Sequence, residues 1–317
     1  MIRLLITSVR PHCDKITQGV IGLFELTFPD RVRGYYLRGS RASDTSITGS
    51  DIDLFVIFKD RFLDEAEFYR AHELDTYCEQ ISPILLECVL VGERGLRRNI
   101  YLALNLKLST RLLYGEDIRP ELPPFDPASY IRSVAHTPYF SYMHPPQRKS
   151  AGHLTYPLQH IAPDDMFFGY TQWKVPAADG TDQPSTKLLV ASVGWTAIAI
   201  VALRTGKYVR DKAACANLYR TLIADEWTDL VLAVHDLCRS RWHYQIPDND
   251  TDQQTLRELC NQALHFQNHY LTLYRKYQLD ELASGDPERQ ELATQRLHQI
   301  TYPDEEVQSA LASARPS

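Results

Sequence analysis

Apolar and polar positions alternate with different periods along the first third of the chain. Between 11 and 28, Ile16, Val20, Leu23 and Phe24 follow the three-and-four spacing of a helix, which Pro29 and Asp30 end. Residues 33–38, Arg-Gly-Tyr-Tyr-Leu-Arg, read as a strand. A polar stretch rich in Ser, Thr and Gly fills 39–50, and a second strand, Asp-Ile-Asp-Leu-Phe-Val-Ile-Phe-Lys, occupies 51–59. The pattern then predicts a helix over 64–80, a third strand over 83–91 and a helical segment over 95–113.

The texture changes near Pro120. Eleven of the 18 prolines fall between 119 and 186, which predicts a long connection holding only short helical pieces. From Lys187 onward helical periods return, over 187–205, 211–223, 226–241, 252–277 and 287–299, and the last dozen residues are polar enough to fray. The expected architecture is therefore α+β. A first domain over 1–120 holds a small mixed sheet flanked by helices, a Pro-rich connection spans 121–186, and a helical bundle fills 187–317.

The longest apolar run, Leu188 to Leu203, is about a turn short of a bilayer span and carries Ser192, Gly194 and Thr196, so a buried helix is expected rather than a membrane segment. Met1 to Arg10 has no apolar stretch of signal-peptide length. The six cysteines form no C-x-x-C pair and several sit in apolar runs. They read as small buried hydrophobes in a reducing compartment, the cytoplasm. A net charge of −6 argues against a chain that coats nucleic acid.

Chemistry concentrates at the two sides of the polar loop. Side chains alternate along a strand, so Asp51 and Asp53 share one face while Ile52 and Leu54 share the other. Two adjacent carboxylates repel unless a cation lies between them, and an all-oxygen pair suits Mg²⁺. Gly39-Ser40 closes the preceding strand, where a glycine lets backbone approach a triphosphate and a serine hydroxyl can bind its oxygens. A third acid, Glu87, lies within the apolar strand Ile84–Leu90, where a carboxylate costs stability without a partner. It reads as an acid facing the same site. Other candidates favour ordinary roles. His265 and His269 lack the glutamate of a zinc-hydrolase motif, no P-loop is present, and Glu116, Asp117, Asp164 and Asp165 read as loop solvation and caps.

Strand, Gly-Ser, spacer and Asp-x-Asp together resemble the polymerase-beta-type nucleotidyltransferase superfamily. The form Gly39-Ser40-Arg41-Ala42 … Ser50-Asp51-Ile52-Asp53-Leu54 is similar to its minimal branch. Thr205-Gly206 followed by Lys212, and later Tyr244, resembles the helical domain of the streptomycin and spectinomycin adenylyltransferases. The resemblance implies a Mg²⁺-dependent enzyme with two ions on Asp51, Asp53 and Glu87, Glu87 being a metal ligand or the general base. It implies nucleotide contacts from Gly39, Ser40, Arg41, Ser50, Lys212 and Tyr244, and transfer of AMP from ATP to a hydroxyl. An aminoglycoside-like small molecule is the first expected acceptor, a protein or a nucleotide the second, and a nucleotide-sensing module without turnover is the rival reading.

Overall fold

The computed structural model describes residues 2–6, 11–47, 49–149, 151–176 and 181–313. Outside them fall parts of the opening ten residues, position 48 of the polar loop, positions 150 and 177–180 of the Pro-rich connection, and 314–317.

The elements run α1 (Pro11–Thr27), β1 (Val32–Arg38), a single turn α2 (Gly39–Ala42), β2 (Ile52–Phe58), α3 (Glu65–Ile81), β3 (Leu86–Gly92), α4 (Glu93–Arg98), α5 (Ile100–Ser109) and β4 (Arg111–Gly115). Four strands form one sheet in the order β3-β2-β1-β4. The β1–β2 and β1–β4 pairs are antiparallel and β2–β3 is parallel, so the sheet is mixed.

Alternation along β2 sorts its side chains onto two cores. Ile52, Leu54, Val56 and Phe58 pack with Val20, Ile21 and Phe24 of α1 and with Ala71 and Cys78 of α3. Phe55 and Ile57 join Tyr36, Leu96 of α4, and Ala103 and Leu106 of α5 on the other face. Every residue of β2 is buried. Truncating one, as in Leu54→Ala, removes apolar contact and leaves a cavity, at a cost of about 2–5 kcal/mol. Asp64 starts α3 by accepting a hydrogen bond from the Glu67 amide at 2.7 Å.

Helical elements follow as α6 (Pro127–Val134), α7 (Thr137–Met143), α8 (Pro146–Lys149), α9 (Lys187–Thr205), α10 (Lys212–Leu218), α11 (Thr228–Ala233), α12 (Asp250–Leu282), α13 (Pro287–His298) and α14 (Glu305–Ser313). Tyr219–Ile223 and Val234–Arg241 wind as π-helix. α9 is long and apolar enough to cross a membrane, but most of it is buried inside the protein. It packs against α7 and α12. It stops at Gly206, which adopts φ +67° and returns its amide to the Ala202 carbonyl at 2.8 Å. The six cysteines are free and all but Cys88 are buried.

Three details differ from the sequence expectation. Residues 111–113, expected to close the helical segment 95–113, belong instead to the edge strand β4, because Gly34 to Leu37 of β1 offer that strand a ladder that no local pattern announces. The polar tail holds α14, anchored by buried Val307 and Leu311. The chain also packs into two interleaved units rather than contiguous ones. The first comprises 1–130, 175–183 and 208–214, and the second 131–174, 184–207 and 215–317.

Candidate active site

The site face is the one that carries Tyr36, Phe55 and Ile57 deeper in the sheet. At its open end the register places Arg38 of β1 opposite Asp53 of β2, and Asp53 beside Glu87 of β3. Neighbouring strands lie about 4.8 Å apart, so the three side chains form one row, cation, acid, acid. Asp51, two residues ahead of Asp53, lies on the same side and acts on it electrostatically.

Asp53 is 9% exposed. Burial first, then the negative charges of Asp51 and Glu87, push its pKa up to about 6, while Arg38 and Lys212 pull it down. Lys212, the first residue of α10, belongs to the 208–214 segment of the same unit and so brings its charge to the row. That segment is fixed by the Val209 amide donating to the Tyr130 hydroxyl at 3.2 Å and by Tyr208, whose ring packs on Tyr130 at 5.2 Å. Asp211 accepts from the Ala214 amide at 2.8 Å, which starts the helix beside Lys212.

Gly39 is required where it stands. Its φ is +66°, and a Cβ there would overlap the Asp53 carboxylate, with Cγ only 3.1 Å away. Ser40 follows, half-buried, and its carbonyl accepts the Thr45 amide at 2.9 Å, folding the loop back on itself.

Arg41 and Ser50, expected as nucleotide contacts, both bond within the loop itself. Arg41 is 7% exposed, and its Nε and Nη2 donate to the carbonyls of Asp51 and Ser50 at 2.7 and 2.6 Å. Ser50 is 3% exposed, and its hydroxyl accepts the Ile47 amide at 2.9 Å. Both hold the loop that delivers Asp51. Tyr244 belongs to the second unit, where its buried phenol receives Arg239 Nε at 3.2 Å and Lys187 lies 5.7 Å from its ring centre.

Glu87 stands beside Asp53 in the row, but not as the buried acid that its apolar strand suggests. β3 is an edge strand and Glu87 is exposed, so its carboxylate carries no burial cost. Three of the other acids singled out in the sequence have local partners. Glu116 pairs with Arg33 at 2.9 Å, Asp117 with Arg119 at 2.6 Å, and Asp165 accepts the Phe167 amide at 2.7 Å.

Arg38 was not foreseen. The signal was available in the antiparallel pairing, since the residue just before Gly39 must lie across from Asp53 once β1 and β2 form a hairpin around the loop.

Among the described residues no three His, Cys, Asp or Glu close into a ready-made metal cage. The donor set still fits Mg²⁺, which takes one or two carboxylates and completes its shell with water and phosphate oxygens. The like-charge crowding on Asp53 is what such an ion would relieve.

Residues 24–101 match the family model of the nucleotidyltransferase domain, a span that contains the whole row and its loop. The chain therefore carries the domain of a nucleotidyl-transferring enzyme. Among solved structures, a spectinomycin adenyltransferase from Enterococcus faecialis, determined with ATP and spectinomycin, is similar over 80% of this chain and 98% of that one. Its sequence identity is 12% and the TM-score 0.49. No curated protein matches the chain by sequence.

Proposed function

We propose that the chain transfers AMP from ATP to a hydroxyl of a small, aminoglycoside-like acceptor and releases pyrophosphate. The observation that carries the reading is the row Asp53–Glu87, with Asp51 beside it, inside a nucleotidyltransferase domain. In this reading Asp51 and Asp53 hold Mg²⁺, which when bound neutralises charge on the triphosphate and on the oxygen that attacks it.

The acceptor oxygen bonds to the α-phosphorus, and the bond to the bridging oxygen of the β-phosphate breaks. Glu87 takes the acceptor's proton, since it is exposed at the sheet edge and open to a molecule arriving from solvent. The Ser40 hydroxyl and the Lys212 ammonium bind the outer phosphates. Arg41 acts at one remove, by fixing the carbonyls that aim Asp51. Catalysis of this kind rests on positioning and charge neutralisation more than on covalent chemistry by the protein.

Two features support a cationic acceptor. The chain has net charge −6, and the Thr205-Gly206 and Lys212 stretch resembles the helical half of aminoglycoside adenylyltransferases. Binding of a polycation to an acidic surface weakens with salt.

The test is incubation with α-labelled ATP and Mg²⁺ against a panel of aminoglycosides, proteins and nucleotides. The expected result is pyrophosphate release coupled to label on a small cationic product. Label on protein or on a second nucleotide would replace the acceptor. Binding of ATP without release against the whole panel would replace the enzyme by a sensor.

A further inference from the structure

We infer that Arg38 binds phosphate oxygens of the nucleotide, as a further residue of the proposed site. The inference rests on the reading above and adds to it a contact that Asp51, Asp53, Glu87, Ser40 and Lys212 do not supply.

Three observations converge on it. The β1–β2 register sets Arg38 directly across from Asp53 on the site face, at the end of the row opposite Glu87. Its guanidinium lies 5.3 Å from the centre of the Phe55 ring, which is itself fully buried. That ring supports the flat cation from beneath and limits where it can swing. Arg38 also makes no hydrogen bond or ion pair among the described residues, although its charge is felt by both Asp53 and Tyr101.

This contrasts with other arginines of the unit. Arg31 is paired with Glu67, Arg33 with Glu93, Glu116 and Glu121, Arg111 with Asp44, and Arg119 with Asp117. Arg41 is spent on two carbonyls. Arg38 therefore brings an oriented fork of five N–H donors to the row with those donors unfilled. An adjacent carboxylate without a hydrogen bond to it is the arrangement of a cation kept near the site but not consumed by it.

The chemistry that fills such a fork is a tetrahedral oxyanion. A guanidinium meets phosphate through two parallel N–H···O bonds, which a lysine ammonium cannot reproduce. With three carboxylates in the cluster, the two cations Arg38 and Lys212 offset part of the negative charge that an approaching polyanion meets.

The test measures binding by calorimetry in Mg²⁺, with ATP, inorganic pyrophosphate and adenosine as probes, for the wild type, Arg38→Met and Arg38→Lys. The expected result is that Arg38→Met weakens ATP and pyrophosphate at least tenfold, about 1.4 kcal/mol, and leaves adenosine unchanged. Arg38→Lys should recover part of the loss, because charge returns without the fork. Unchanged pyrophosphate binding in Arg38→Met, with ATP still bound by the wild type, overturns the inference and leaves the proposed function standing. Equal loss of adenosine and pyrophosphate in both variants assigns Arg38 to the fold and also overturns it. A wild type that binds neither ATP nor pyrophosphate removes the proposed function and this inference together. Should Arg38→Met fail to fold by circular dichroism, the comparison of Arg38→Lys with wild type decides on the same readouts.

Discussion

Asp53 sits under the Gly39 turn, and its carboxylate occupies the space a Cβ at position 39 would need. Burial and two like charges raise its pKa to about 6. The sign follows from linkage. A carboxyl that holds its proton more tightly when folded than when unfolded favours the folded state at low pH. That advantage is lost as pH rises from near 4, the unfolded value, through about 6. In metal-free protein at neutral pH the charged Asp53 therefore weakens the fold. Asp53→Asn should raise the melting temperature at pH 7.5 in the presence of a chelator, and the gain should vanish near pH 4. A lower melting temperature at pH 7.5 would contradict the electrostatic account. Much of this was legible in the sequence, because strand alternation alone puts Asp51 and Asp53 on one face. Glu87 was legible only by its place among strand residues. The expectation that it is buried was wrong because an edge strand cannot be told from a central one by its own pattern. Arg38 was overlooked because its meaning depends on which residue of another strand it faces.

At the scale of elements, an ion pair at the start of β1 ties that strand to α3. Arg31, just ahead of β1, donates from Nε and Nη2 to both oxygens of Glu67 on α3, at 2.7 and 3.0 Å. The Leu63 amide donates to the same carboxylate at 2.6 Å. Hydrogen bonding to Arg31 holds the Glu67 pKa below its ordinary value. A depressed carboxyl pKa contributes stability that is present above about pH 4.3, the unfolded value, and is lost as pH falls further through the folded value. Glu67→Gln should cost about 2–3 kcal/mol at pH 7, since it leaves a half-buried guanidinium without its anion. Its melting temperature should then fall less steeply than that of the wild type between pH 5 and pH 3, as thermal melts would show. Parallel acid profiles for the two proteins would contradict this. The fourth strand shows the limit of local patterns. Arg111–Gly115 follows the apolar α5 without Gly or Pro to mark a change, and it is a strand only because β1 lies ready to pair with it.

For the molecule as a whole, helical periods after Lys187 were legible, whereas the interleaving of its two units was not. Segment 208–214 lies far along the chain from the sheet yet packs in the same unit, which gives Lys212 its access to Asp53. Sequence alone offered Lys212 through resemblance to a family, and its positive charge draws the Asp53 pKa down. The central proposal is that carboxylates gathered on the sheet face act with a divalent cation on a nucleotide triphosphate. It is tested most directly by pyrophosphate release from ATP, with the acceptor identified by the labelled screen, in wild type and Asp53→Asn across a Mg²⁺ titration. Release is expected to require Mg²⁺ in the wild type and to fall at least about a thousandfold, roughly 4 kcal/mol, in a folded Asp53→Asn. Release by Asp53→Asn within about tenfold of wild type, or release indifferent to Mg²⁺, would contradict it.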